Sequence, residues 1–223
     1  MFSLAAVWGL RPDGSNPCRH VKRYKERKRE RFLSPEETER LGEVLREAEN
    51  EMPSAVAAFR LLLLTGCRLS EIQFLRWEYV KEDCIELPDA KIGGRVVPLG
   101  PEARAVLEAP PREDGNPWVI RGKLPGSHIT DLQTPWRRIR ARAGLEDVRI
   151  HDLRHSYASR ALALGESLTM IGKLLGHTQV QTTARYALLA LDSIQNAAAR
   201  ITGSIGGNLS SVQTLDKTTH TGQ

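Results

Sequence analysis

Residues 150–155 read Ile-His-Asp-Leu-Arg-His, and their types and spacing suit the binding of an anion. In a helix, residues three and four apart share a face, so His151 and Arg154 point together into one site, with His155 beside them. A guanidinium held next to an imidazole on a rigid element is a good partner for phosphate. Six residues alone fit a polar helix start with one exposed arginine equally well. Three further stretches shift the balance: Thr-Gly-Cys-Arg-Leu-Ser-Glu at 65–71, Leu-Leu-Gly-His-Thr at 174–178 and Ala-Arg-Tyr-Ala at 184–187. They add a second guanidinium (Arg68), another imidazole (His177) and a phenol (Tyr186).

The elements that must position these groups are marked by their punctuation. Ser34-Pro35-Glu36-Glu37 carries an N-cap serine, a proline at N1 and a glutamate at N3, which predicts a helix to about Asn50. Pro53 opens a nearly all-apolar segment, 55–64, that must be buried, and Gly66 ends it. Arg68 then sits in the turn before a helix starting near Ser70, with Glu71 placed to brace its guanidinium. Residues 84–87 and 95–97 read as strands joined by a tight turn at Gly93-Gly94, with Lys91 on the approach. A helix follows from Pro101 to about Ala109, then a short third strand at 118–120 and an arginine-rich helix over about 131–143, closed by Gly144. After the helix of His151, Gly165 stops the chain and Ser167 restarts it. Leu168, Ile171, Leu174 and Leu175 form one apolar stripe that Gly176 terminates just before His177. A further short helix carries Arg185 and Tyr186, and 188–201 reads as a last amphipathic helix. From Gly203 the composition loses its periodic apolar residues, which predicts disorder.

Length and charge bound the answer more loosely. A chain of 223 residues makes one large domain, or a domain plus a remnant of another. A net charge of +5 and a pI of about 9.3 are compatible with a polyanionic partner. The charge is uneven: Lys22–Arg31 holds seven basic residues against two acidic ones, and Arg137–Arg142 holds four arginines. Cys18, Cys67 and Cys84 show no paired-ligand spacing, so reduced thiols in the cytosol are expected. The apolar start has no basic leader and is too short to span a bilayer, so no membrane association is expected. Residues 2–9 read as the end of a helix closed by Gly9, which suggests a chain that opens inside a domain whose front part is missing. Residues 18–31 read as a basic linker.

The ordered set Arg68, Lys91, His151, Arg154, His177 and Tyr186 resembles the tyrosine recombinases, also called phage-type integrases, over roughly 32–200. The resemblance implies a mainly α fold with a small antiparallel β-sheet (α+β). It divides the chain into a core-binding-domain remnant and basic linker (1–31), a catalytic domain (32–203) and a disordered tail (204–223). It also implies site-specific recombination or integration through a covalent 3′-phosphotyrosyl intermediate, with Tyr186 as nucleophile. Two arginines from different elements can neutralise the non-bridging oxygens of one phosphodiester. A phenol of pKa near 10 needs local positive charge or a base, and His151 is the candidate base. By resemblance Lys91 protonates the leaving 5′-oxygen and His177 hydrogen-bonds the phosphate. Arginines supply the charge neutralisation, so no metal or other cofactor is expected. The implied partner is double-stranded DNA, bound as a tetramer in the synaptic complex and met by a monomer when free. Lys22, Arg23, Lys25, Arg27, Lys28, Arg137, Arg138 and Arg140 are the candidate DNA contacts. Arg154→Lys is expected to cost activity far more than stability. The sequence departs from the family at its front, where residues 1–17 resemble only the final helix and linker of the core-binding domain, and in a hairpin at Lys91 that reads as short. Competing readings are a two-histidine zinc site, opposed by Asp152 and Arg154, a type IB topoisomerase, and a DNA-binding remnant or helix-turn-helix regulator without catalysis.

Overall fold

The computed structural model describes residues 2–12, 14–16, 18–19, 21–22, 24, 31–88, 94–109, 112–177, 198–199 and 201–206. Two compact units divide between Glu30 and Arg31. In the first, helix α1 (Phe2–Val7) ends at Gly9, whose φ is +70°. The Arg11 guanidinium lies over the Phe2 ring at 5.1 Å. The helix is the one expected for 2–9, slightly shorter.

The second unit begins at Arg31, which sequence reasoning left in the linker. Its guanidinium meets Glu37 at 2.7 Å and Asp147 at 2.7 Å, so the start of the unit is tied to two separate carboxylates. Leu33 donates its N–H to the Ser156 hydroxyl at 2.8 Å. Helix α2 (Pro35–Glu47) then starts with a complete capping box between Ser34 and Glu37. Helix α3 (Pro53–Thr65) is apolar nearly all round, as a helix packed on several sides must be. It packs against α4 (Leu69–Gln73), α5 (Pro101–Glu108) and α7 (Ile150–Ala163), while α2 packs on α6 (Gln133–Arg142). The Phe59 and Trp136 rings meet at 5.0 Å, and the Trp136 indole N–H donates to the Val148 carbonyl at 3.0 Å. Both rings are fully buried. Each such side chain contributes about 1.5–3 kcal/mol through burial, so α3 is the axis on which the other helices are set. Helix α8 (Leu168–Leu175) is capped by the Ser167 hydroxyl and packs on α7.

Strands β1 (Cys84–Leu87) and β2 (Arg95–Pro98) pair antiparallel, Cys84 opposite Pro98 and Leu87 opposite Arg95. The expected third strand at 118–120 does not join them. Trp118 makes only an isolated bridge to Arg76, and Val119 donates to the Leu75 carbonyl at 2.9 Å. Pro117 has no N–H to extend a ladder, and the apolar pair Val119 and Ile120 is buried against the chain after α4 rather than in a sheet. Of the tail expected to be disordered over 204–223, residues 204–206 continue a helix from 201, and 207–223 lie outside the described residues. Ile201 and Ile205, four apart, keep the helical repeat across Gly203. Among the described residues no helix is long and apolar enough to cross a membrane.

Candidate active site

The site is built on two turns and the helix between them. The first turn follows α3. Gly66 closes that helix with φ +62°, a conformation costly for a side chain. A Cβ here would also sit 2.6 Å from the Tyr157 ring and 2.9 Å from Leu175. The close approach brings Arg68 to the N-cap of α4. Its side chain stays 44% exposed. One guanidinium nitrogen donates to Glu71 Oε1 at 2.7 Å and the other to the Gly176 carbonyl at 3.2 Å, while the Arg68 backbone N–H donates to Glu71 Oε2 at 2.6 Å. The bracing role expected for Glu71 is therefore seen.

Helix α7 supplies the second arginine. The helix is fixed at its start by Asp152, whose carboxylate accepts the Arg149 N–H at 2.8 Å. Asp152 thus acts as a capping group. Two residues on, Arg154 is only 4% exposed. It donates to the Gly66 carbonyl at 2.5 Å and to the Leu175 carbonyl at 2.7 Å. Arg154 accordingly ties the turn that carries Arg68 to the end of α8. That burial gives Arg154→Lys a cost in stability as well as in activity, because an ammonium cannot reproduce the two-pronged geometry. His151 is exposed and His155 half-buried, their rings edge-to-face at 4.8 Å.

The second turn follows α8. Gly176 caps it with φ +64°, and His177, half-buried, comes next. A third arginine arrives here that sequence reasoning missed. Arg95 on β2 is half-buried and donates to both oxygens of Glu71 at 3.0 and 2.9 Å and to the Leu174 carbonyl at 2.7 Å. Arg95, Arg154 and Arg68 therefore take the carbonyls of three consecutive residues, Leu174, Leu175 and Gly176. These are the carbonyls a helix end leaves without partners and the end that carries negative partial charge. A signal for Arg95 did exist. It alternates with Val97, which is buried, so it lies on the inward face of β2.

The electrostatics follow from that convergence. Burial pushes the Glu71 carboxyl up, but the Arg68 N–H and the charges of Arg95 and Arg68 outweigh it, leaving Glu71 below its ordinary value. Burial pushes the neighbouring Cys67 thiol up, so it stays protonated. A surface carrying guanidinia and imidazoles can accept a phosphodiester. Among the described residues no three His, Cys, Asp or Glu side chains come together to hold a metal ion.

Lys91 and Tyr186 lie outside the described residues, as do Arg23, Lys25, Arg27 and Lys28. Lys22 is exposed in the first unit. Arg137 and Arg138 are exposed on α6, whereas Arg140 is turned inward and donates to the Val148 carbonyl at 3.0 Å.

Comparison with known proteins places the chain in a family. The shufflon-specific DNA recombinase of Escherichia coli is 33% identical over 195 residues, covering 85% of this chain and 48% of the relative. The chain thus spans about half the length of the curated relatives it matches. The catalytic domain of bacteriophage HP1 integrase superposes with a TM-score of 0.58 at 26% identity, over 75% of this chain and 93% of that one. The XerH site-specific recombinase, solved bound to a palindromic difH substrate after cleavage, shares the fold with a TM-score of 0.62 at 21% identity, over 77% and 53% of the two chains. The model of the phage integrase family matches residues 31–191, which begins where Arg31 opens the second unit and takes in both turns and all three convergent arginines. With that match, the chain belongs to the phage integrase family.

Proposed function

We propose that this chain is the catalytic region of a site-specific recombinase that cuts and rejoins duplex DNA through a tyrosyl phosphodiester. The observation that supports the reading most is the convergence of Arg68, Arg95 and Arg154 on the carbonyls of residues 174–176. It sets guanidinia from three separate elements around the turn that leads to His177. Catalysis of phosphoryl transfer is largely positioning plus stabilisation of charge on the non-bridging oxygens. In this reading Arg68, on the exposed rim, and Arg154, on the floor, contact those oxygens, and His177 adds a hydrogen bond. The Tyr186 oxygen attacks phosphorus as its proton passes to His151. The bond from phosphorus to the 5′-oxygen breaks, and that oxygen takes a proton from Lys91. The number of phosphoester bonds is unchanged, so the 5′-hydroxyl of a second strand can reverse the step without an energy source. Double-stranded DNA is the substrate, and recombination requires several protomers around two duplexes.

The reading is tested with nicked duplexes of randomised sequence around the nick, which trap a covalent adduct because the cleaved end diffuses away. Denaturing electrophoresis is expected to show protein-linked DNA with the wild type and none with Tyr186→Phe, which lacks only the attacking oxygen. Adduct from the Phe variant, or none from the wild type on the whole library, would overturn the assignment.

A further inference from the structure

We infer that Arg95 is a positioning residue for the phosphate-binding end of the site, holding Arg68 and the His177 turn in register through Glu71 and Leu174. The inference rests on the proposed catalytic reading. Arg95 lies on the inward face of β2, with its side chain 12% exposed, and its Nε is buried without a hydrogen-bond partner. Its two terminal nitrogens do different things. One grips both Glu71 oxygens, the same two oxygens that receive the side chain and the backbone N–H of Arg68. The other takes the Leu174 carbonyl, one residue before the carbonyl held by Arg154. Arg68 is 44% exposed, and an ion pair with one solvent-facing partner defines geometry poorly on its own. Sharing Glu71 with a 12%-exposed arginine that is also tied to the Leu174 carbonyl is what gives it one place to be.

The packing says the same. A Cβ on Gly176 would collide with the Arg95 side chain, so the turn before His177 is shaped around Arg95. A half-hidden guanidinium with an orphaned Nε is a poor choice for stability alone, since apolar residues of like volume often serve a core as well or better. Precise placement of Arg68 is the return for it. Catalytic groups need their supporting shell held to fractions of an ångström.

Two variants of the full chain test this: Arg95→Met, which keeps volume and loses charge, and Arg95→Lys, whose single ammonium cannot span Glu71 and Leu174. The first readout needs no DNA. The Arg68 side-chain Nε–H resonance of isotopically labelled protein, assigned by its loss in Arg68→Lys, is expected to be sharp in the wild type. In Arg95→Met it is expected to collapse into the averaged signal of exposed arginines, and in Arg95→Lys to broaden. The second readout compares adduct formation on a trapped nicked duplex with an ordinary scissile phosphate and with a methylphosphonate there, which removes the charge that Arg68 neutralises. Arg95→Met is expected to lose on the order of 100-fold on the diester and no more than about tenfold on the methylphosphonate. A purely structural Arg95 would lower both equally, and that result overturns the inference. So does an unchanged Arg68 resonance in either folded variant. Should the wild type make no adduct while the resonance still responds to Arg95, the catalytic reading fails and the positioning role stands.

Discussion

Arg68 and Arg154 carry the same head group toward the same turn, yet they occupy opposite regimes. Arg68 stands 44% exposed on a short helix start, held by one carboxylate and one long hydrogen bond to Gly176. Arg154 is 4% exposed and spends two donors on carbonyls at 2.5 and 2.7 Å. The rim arginine keeps a solvent-facing guanidinium for an incoming anion. The floor arginine bolts together the two turns between which that anion would lie. In a medium of low dielectric the same hydrogen bond is stronger, and the same loss more damaging, than at the surface. The comparison separates two ways a charged residue serves one site, and it predicts that substitutions divide accordingly.

The largest effect is expected at the floor. Arg154→Leu leaves the Gly66 and Leu175 carbonyls buried without this donor, at about 1–3 kcal/mol each. Thermal unfolding followed by circular dichroism is expected to move down by roughly 5–15 °C, and adduct formation to vanish with it. A melting temperature within about 2 °C of wild type would show that the floor does not depend on Arg154. At the rim the pattern inverts. Arg68→Ala is expected to lower adduct formation on the order of 100- to 1,000-fold while shifting stability by under about 1 kcal/mol, since the Arg68 side chain is 44% exposed and Arg95 still pairs with Glu71 when it is gone. A stability loss matching that of Arg154→Leu would erase the distinction.

Much of this was legible in the chain because the turns are written in glycine and proline. Gly66, Gly144, Gly165 and Gly176 end the helices they were expected to end, each with positive φ. Ser34 and Ser167 accept the N–H bonds expected of N-caps, and Glu71 braces Arg68. What the chain could not say is which member of a shared face goes inward. The three-residue spacing of His151 and Arg154 fixes their common side of α7, but the burial of Arg154 depends on the Gly66 turn and the end of α8. Arg95 was hidden for a related reason. Near a hairpin turn a basic residue looks solvated, and its true partners stand 24 and 79 positions away. Residues 118–120 misled because an apolar run of three fits a strand and a buried loop equally well.

A finer probe of the comparison is the contact between rim and floor at Gly176. Gly176→Ala forces a left-handed alanine, worth about 1–2 kcal/mol, and a clash with Arg95. Combining it with Arg95→Ala removes the clash but not the backbone strain. Chemical denaturation of the two single variants and the double variant is expected to give a favourable coupling of about 1 kcal/mol. Simple additivity would mean the turn is not shaped around Arg95.

The smallest effect tests burial through pH. Glu71 sits with 11% of its side chain exposed between two arginines, and its carboxyl lies below the ordinary 4.5 despite the opposing push of burial. A carboxylate whose folded value is depressed binds protons less readily folded than unfolded. Its stabilisation is therefore complete above the unfolded value and is lost as pH falls through the folded one. Glu71→Gln is expected to melt below wild type near neutral pH, with the gap closing as the pH drops beneath about 4. The exposed pair of Arg142 and Glu51, 2.9 Å apart with side chains 40% and 50% exposed, provides the contrast. Water screens it well, so Glu51→Gln is expected to leave the melting curve unchanged across the same range. A gap for Glu71→Gln that persists unchanged into acid would mean that Glu71 acts by shape and hydrogen bonding rather than charge, and that its two arginines are held by their carbonyls instead.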